Sequence, residues 1–282
     1  MHWKTAISVL VFGVVLGIAI RGYKGPSFAW QLSLGVLLGG IVAWVIPKCI
    51  DEINKYWSAS KPLHELLTPL HANSAPTAVC MAALYPKGIE GFEKSIPFEL
   101  GQTIAVEPHH GVPWVLTEGD ALALGYVMGV LAKAGRTENT TIARDDAGIE
   151  MADTNLICIG SPKSNIRARQ INDAFKAIPL RFRQEEGRQF ISVDDNSQAW
   201  RSDETHDYGI LVKSPSDYNS ERAIMLVAGI SYVGTVGVAH YLWHNWRSLA
   251  EIVHDRPYGM VIRVRRNNYQ YAECVWTKTV AR

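Results

Sequence analysis

The stretch AIMLVAGISYVGTVGVAHYLWHNW, residues 223–246, decides the fold because its hydrophobic pattern changes part-way along. It opens with an apolar run that ends at Gly229, as expected for a strand covered on both faces. After a short loop, the segment GTVGVAHYLWHNWRSLAEIV has the spacing of an amphipathic helix. The stretch therefore predicts a strand, a loop and a helix in succession, which is the repeating unit of α/β domains.

Strand and helix patterns alternate through the rest of residues 76–282. Thr117 can cap a helix over LTEGDALALGYVMGVLAKAG, and either Ser164 or Asn165 can cap a helix over IRARQINDAFKAI. The predicted strands are TAVCMAAL, NLICIG, YGILVK, AIMLVAG and a final hairpin of GMVIRVRR and YQYAECVW around Asn267 and Asn268. This alternation predicts a Rossmann-like α/β domain with a largely parallel sheet and a C-terminal β-hairpin.

Two uncharged apolar segments precede this domain, TAISVLVFGVVLGIAI and FAWQLSLGVLLGGIVAWVI. Because about 20 apolar residues span a bilayer, they predict a transmembrane hairpin over residues 1–47, with helices at about 4–20 and 28–46. Residues 48–75 then follow as a juxtamembrane helix and linker. A cleaved signal peptide is the alternative for the first segment, but the sequence RGYKGPSF after it offers no small-x-small cleavage site.

The hairpin also predicts a location and a mode of association. A hairpin places its two ends on one side of the membrane, and the flanking lysines favour the cytoplasmic side slightly. We therefore expect a multi-pass protein of the bacterial inner membrane, in contact with membrane lipid, whose N-terminus and C-terminal domain are cytoplasmic. Gly13 with Gly17, and Gly35 with Gly39, form small-xxx-small pairs that allow close helix packing. They predict either contact within the hairpin or a homo-oligomer of several hairpins.

The composition excludes some classes of protein. The chain has 28 Lys and Arg against 27 Asp and Glu, so it carries no strong general signal for nucleic-acid binding. Its four cysteines lie far apart and form no CxxC pair, which argues against a zinc ribbon and a disulfide framework. We expect no metal and no cofactor from these patterns.

Two loops follow strands that end in glycine and precede helices, so they are candidate ligand-binding loops. Ligands of α/β sheets collect at the carboxyl ends of parallel strands, and the amides at a helix start attract anions. The candidate residues are Gly160, Ser161, Lys163, Ser164 and Asn165 in the first loop, and Gly229, Gly234 and Thr235 in the second. The second loop lacks the lysine of a P-loop, so its glycines are equally explained by tight turning and close packing.

Other polar residues form no recognisable catalytic set. His240 and His244 have the spacing of metal ligands, but Tyr241 stands where a zinc protease has glutamate, and neighbouring tryptophans favour a half-buried aromatic helix. The acidic pairs at 145–146 and 194–195 are interpreted as solvated loop charges. Because neither a GxSxG motif nor a nucleophile–base pair is recognisable, we predict no catalytic residues.

The layout of two apolar segments followed by one α/β domain resembles the transmembrane effectors of bacterial anti-phage systems. The phrases DTNLICIGSPKSN, DYGILVKSP and MLVAGISYVGTVGVAHYL are also similar to an α/β module of bacterial signalling and conflict proteins. The resemblance in layout is to the effectors encoded beside a retron reverse transcriptase. It implies abortive infection, in which the effector is held inactive by the reverse transcriptase and its RNA–DNA product and damages the inner membrane when infection releases it. It implies no catalytic residues.

Three functions therefore follow from the sequence as hypotheses. The first is a membrane-anchored effector of anti-phage defence. The second is a membrane-tethered receptor or enzyme for a nucleotide or another phosphorylated ligand, which would use the loops at Gly160 and Gly229. The third is a membrane protein that only tethers a partner through its C-terminal domain.

Overall fold

The computed structural model describes residues 61–68, 70, 75–83, 116–172, 175, 178–194 and 197–280. The chain divides into two compact units, residues 1–59 and 60–282, and every described residue belongs to the second. Helices and strands are interspersed along that unit, with helices after the strands at Thr77–Met81, Asn155–Ile159 and Ala223–Gly229, so the predicted α/β class is confirmed.

The elements of this unit begin and end as follows. The strands are β1 (Thr77–Met81), β2 (Thr140–Arg144), β3 (Asn155–Ile159), β4 (Leu180–Glu185), β5 (Arg188–Val193), β6 (Ala199–Trp200), β7 (His206–Pro215), β8 (Ala223–Gly229), β9 (Tyr258–Arg265) and β10 (Asn268–Thr279). The helices are α1 (Glu118–Lys133), α2 (Ile166–Asn172) and α3 (Tyr232–Val253), with a helical segment at 61–67 and a 3-10 turn at Thr137–Asn139.

Seven strands form the main sheet in the order β10-β9-β7-β8-β3-β1-β2. The strands β2, β1, β3 and β8 are parallel to one another, whereas β7, β9 and β10 each run antiparallel to the strand beside them. The predicted parallel centre and C-terminal hairpin are thus confirmed, and the sheet as a whole is mixed. The predicted caps also hold, because the Thr117 hydroxyl accepts from the amide of Asp120, and Asn165 Oδ1 accepts from the amide of Ala168.

Different layers cover the two faces of the main sheet. Helix α3 lies on one face, where Gly209 and Gly237 leave room for Val238 and Val264. On the other face, α2 and a second sheet, ordered β4-β5-β6, contribute to the apolar core. Both faces are therefore buried, which explains why β1, β3 and β8 are apolar along their whole length.

The predicted localisation, a multi-pass protein of the bacterial inner membrane with cytoplasmic ends, is wrong by this structure. In the part of the chain that the structure describes, no helix is both long enough and apolar enough to cross a membrane. Helix α3 has the length, with 22 residues, but it carries Arg247 and Glu251 on its exposed side. Its polar face is that of a helix packed on a sheet.

The two predicted spans, at about 4–20 and 28–46, lie outside the described residues. So do the predicted helix-packing glycines, Gly13, Gly17, Gly35 and Gly39.

Candidate functional site

Three parallel strands bring their carboxyl ends to one edge of the sheet. From β1 the chain leads to β2 on one side, whereas from β3 it leads through α2 to β7 and β8 on the other side. This arrangement makes the gap between β1 and β3 a topological switch point, where α/β sheets usually bind ligands. Because β3 and β8 are neighbours, both candidate loops lie at this edge.

Two buried polar side chains form hydrogen bonds with the backbone at the switch point. The Asn165 amide nitrogen donates to the carbonyl oxygens of Ile159 at 2.9 Å and Cys80 at 3.2 Å, which ties the ends of β3 and β1 together. The Asp145 carboxylate accepts from the amide nitrogens of Ala83 at 3.0 Å and Ile166 at 2.8 Å. Asp145 is only 1% exposed, so its interpretation as a solvated loop charge is wrong: the residue satisfies amides at the loop ends.

The second loop, at 229–235, is closed by Asp207. Asp207 Oδ2 accepts from the amide nitrogens of Gly234 at 2.7 Å and Ser231 at 3.2 Å, and from the Ser231 hydroxyl. The Thr235 hydroxyl oxygen accepts from the amide of Gly229 at 3.0 Å. The amides that a phosphate would need at the start of α3 are therefore bound to the protein's own carboxylate and hydroxyl groups.

Close packing accounts for the glycines of this second loop. A Cβ atom placed on Gly229 would lie 2.2 Å from the Thr235 amide nitrogen, and one on Gly234 would lie 2.6 Å from the Tyr208 carbonyl oxygen. The end of β8 thus touches the start of α3, and only glycine allows this approach. The geometry favours the packing interpretation for Gly229, Gly234 and Thr235.

The first loop, at 160–165, places polar groups around a buried glycine. Gly160 has a φ of +105°, a conformation that favours glycine. A Cβ atom placed on it would lie 3.6 Å from Asp120 Oδ1 and 3.8 Å from Ser164 Oγ. A carboxyl group from α1 and a hydroxyl group from the loop therefore converge beside the Cα of Gly160.

Among the described residues of this region, Lys163 is the cationic side chain that projects into solvent from the loop. Lys163 is exposed, whereas Arg169 is buried beneath the loop, where its Nε donates to the Pro162 carbonyl oxygen at 3.0 Å. Arg167 turns away, because it donates to the carbonyl oxygen of Ala147 at 2.7 Å and to the side chain of Gln170 at 2.8 Å. Lys163 is therefore the cationic side chain of this loop at the surface, and Arg169 supports the loop from beneath.

Asp120 is a buried carboxyl group in the first turn of α1, with an elevated pKa. Burial raises the pKa of this group above its usual value, a hydrogen bond with the Thr117 side chain opposes the rise, and the charge of Asp145 adds to it. A buried carboxyl group with a perturbed pKa at the carboxyl edge of a sheet is a common feature of functional sites. No sequence motif connects Asp120 with the loop at 160–165, because the two lie about 40 residues apart in the chain.

Replacing Asp120 by asparagine is expected to flatten the dependence of stability on pH. Below the usual aspartate pKa, near 3.8, Asp120 is protonated in both states and adds no penalty. As the pH rises through the window up to the higher folded pKa, the unfolded chain releases its proton first, so the folded state loses stability. Asparagine cannot titrate, so we expect Asp120→Asn to lose less unfolding free energy across this window than the wild type.

Urea unfolding at several pH values, from about pH 3 to about pH 7, measures this difference. Glu118→Gln is the matched control, because Glu118 lies in the same helical turn and is exposed. Parallel curves for the wild type and Asp120→Asn would contradict the raised pKa.

The histidine pair of α3 belongs to an aromatic cluster. The rings of His240 and His244 have centroids 4.2 Å apart, and His240 makes edge contacts with Tyr126 and Tyr269. Burial lowers the pKa of His240, and His244 lowers it further. Within the described residues, no group of three His, Cys, Asp or Glu side chains could hold a metal ion.

A surface pocket of about 200 Å³ lies over β7, β9 and β10, and no sequence motif indicated it. Its lining includes Arg263, whose Nε donates to Glu273 at 2.7 Å, and Arg265, whose guanidinium lies 5.0 Å from the centre of the Tyr271 ring. The opposite charges of Arg263 and Glu273 cancel locally, so we assign no ligand to this pocket.

No family model matches the chain, and no curated protein matches its sequence. The resemblance to retron-associated effectors therefore stays a prediction, as do its implied partners, the reverse transcriptase and the RNA–DNA product. The candidate site is argued from its own geometry.

Proposed function

We propose that residues 60–282 form a receptor domain for a small phosphorylated ligand, bound at the carboxyl edge between α1 and the loop at 160–165. The observation that carries the proposal is the convergence of the buried Asp120 carboxyl group and the Ser164 hydroxyl beside Gly160. This convergence lies next to the switch point of the parallel strands, which is where the Rossmann-like interpretation places a ligand.

Each group in this region suits one part of such a ligand. The ammonium group of Lys163 is exposed and can approach a phosphate, and the partly exposed hydroxyl of Ser161 can donate a hydrogen bond to a phosphate oxygen. The Ser164 hydroxyl donates to the Ser161 carbonyl oxygen at 3.4 Å, so its oxygen can accept from a ligand hydroxyl. The Asp120 carboxyl group suits hydroxyl donors, as the acidic residue of dinucleotide-binding sites does for a ribose. Asn165 is occupied in holding β1 and β3 together, so it positions the loop and leaves the ligand to its neighbours.

The two candidate loops differ in their side chains, because backbone amides of both loops are bonded within the protein. Asp207 accepts from amides of the second loop, and in the first loop the amides of Gly160 and Ser164 donate to the carbonyl oxygens of Val227 and Ser161. The first loop also carries the Lys163 side chain, which is exposed to solvent. The first loop is therefore the one we assign to the ligand.

Ligand binding should appear as thermal stabilisation of the full-length protein. With ribose 5-phosphate or AMP at about 100 times Kd, stabilisation of about 2.7 kcal/mol corresponds to a rise in Tm of about 5–10 °C for a domain of this size. Lys163→Ala should abolish most of the rise, because the ammonium is the main charge partner of the phosphate. Asp120→Asn should reduce it, because asparagine accepts hydroxyl donors less strongly than a carboxylate.

Lys278→Ala is the matched control, since Lys278 is exposed on β10 at the far edge of the sheet. The proposal fails if neither ligand changes the Tm. It also fails if Lys163→Ala responds to both ligands as fully as Lys278→Ala does.

The predicted role in anti-phage defence stays a proposal that rests on the sequence resemblance. A receptor domain is compatible with an effector that partners or ligands hold inactive. The structure carries no observation on the reverse transcriptase or on the RNA–DNA product.

A further inference from the structure

Tyr232, the first residue of α3, presents an aromatic ring at the same edge of the sheet. Its side chain is exposed, at 67% of the full accessible area. Exposed aromatic rings at the edge of a ligand site are natural stacking surfaces, because every nucleobase has a π face.

The Tyr232 side chain is held in place from one side by α1. A Cβ atom placed on Gly119 would lie 2.9 Å from Tyr232 Cβ and 3.1 Å from its Cδ2. Because Gly119 has no side chain, the tyrosine can lie against the first turn of α1. One side of the ring system is therefore supported by the protein while most of its surface stays accessible.

Tyr232 is linked by contacts to the polar groups of the proposed site. It contacts Gly119, the next residue is Asp120, and the Asp120 carboxyl group reaches Gly160 and the loop that carries Lys163. Contacts thus link the aromatic ring to the first turn of α1, and the carboxyl group of that turn to the loop that carries the cationic side chain. A nucleotide carries its base, ribose and phosphate in the same order.

We infer that the ligand of this site is a nucleotide, with its base stacked on Tyr232, its ribose at Asp120 and its phosphate at Lys163. The inference rests on the proposed function, since it names the class of the ligand bound there. Tyr232 discriminates a nucleotide from a sugar phosphate, because a sugar phosphate has no base to stack.

Calorimetric titration of the full-length protein with AMP and with ribose 5-phosphate tests the inference. Since a stacked base contributes about 1–3 kcal/mol, we expect AMP to bind about 5- to 100-fold more tightly than ribose 5-phosphate. Tyr232→Ala should remove this difference by weakening AMP binding alone, and Tyr232→Phe should keep it, since phenylalanine retains the ring. Tyr218→Ala is the control, because Tyr218 is exposed to the same extent.

The outcomes separate the inference from the function on which it rests. Equal affinity for the two ligands, or an unchanged preference in Tyr232→Ala, overturns the nucleotide inference and leaves the phosphorylated-ligand receptor standing. If Tyr232→Ala no longer binds either ligand, the inference is also overturned, because the tyrosine would then stabilise the whole site and would have no specific role at the base. Failure of both ligands to bind the wild type overturns the proposed function as well.

Discussion

Replacing Gly229 by alanine is expected to lower the free energy of unfolding by about 3 kcal/mol or more, the upper part of the range for overpacked sites. The new Cβ atom would lie 2.2 Å from the Thr235 nitrogen and 2.4 Å from the Gly234 carbonyl carbon. These are backbone atoms, so no side-chain rotation can relieve the contact. The end of β8 and the start of α3 would have to move apart.

The same substitution at Gly125 separates this spatial effect from the general effect of replacing glycine. Gly125 is an exposed residue inside α1, and a Cβ atom placed there meets no described atom within 4 Å. Gly125→Ala should therefore raise stability by about 0.5–1 kcal/mol, because alanine favours the helix. Urea unfolding curves of both variants measure the contrast, and similar stabilities for the two would contradict the packing argument.

Elements of the main sheet could be predicted where the residues that determine them are adjacent in the sequence. An apolar run followed by glycine and an amphipathic helix is read within one window of sequence, as in β8 and α3. The cap at Thr117 was equally predictable, since a capping hydroxyl acts on the next helical turn.

The second sheet was not predicted because its strands carry mixed signals. Strand β4, LRFRQE, alternates apolar and polar residues over only four positions, and its last three residues are polar and exposed. The turn that joins it to β5 is formed by Glu186 and Gly187, with φ of +49° and +74°. A two-residue hairpin turn is recognised in a sequence when it reads Asn-Gly or Asp-Gly. Here glutamate stands at the first position, so the sequence does not show this signal.

The candidate site could be predicted only in part, since its residues come from distant segments. The loop at 160–165 was found because glycine, serine and lysine are adjacent in sequence. Asp120 was not assigned to it, because that depends on how α1 packs beside β3. The roles of the Asp145 and Asp207 carboxylates were also missed, because the sequence does not show whether an aspartate is solvated or bonded to buried amides.

Replacing Asp207 by alanine is expected to destabilise the protein by about 3–5 kcal/mol, because hydrogen bonds to a charged group contribute about 1.5–3 kcal/mol each. Asp207 is fully buried and holds the amides of Ser231 and Gly234 at the start of α3, together with the Ser202 and Ser231 hydroxyls. Alanine leaves those amides buried without their partner and removes the negative charge that the helix start favours.

Removal of an exposed carboxylate close by in the sequence is the control that shows whether burial of Asp207 causes the loss of stability. Glu204 precedes Asp207 by three residues and is exposed, so Glu204→Ala should change the free energy of unfolding by less than about 0.5 kcal/mol. Asp207→Asn should fall between the two, since an amide oxygen still accepts but carries no charge. If Asp207→Ala unfolds in urea at the same concentration as Glu204→Ala, then the carboxylate does not hold the start of α3. The amides of that loop would then be available to an external anion, and the loop at 229–235 would again be a candidate for binding a phosphate.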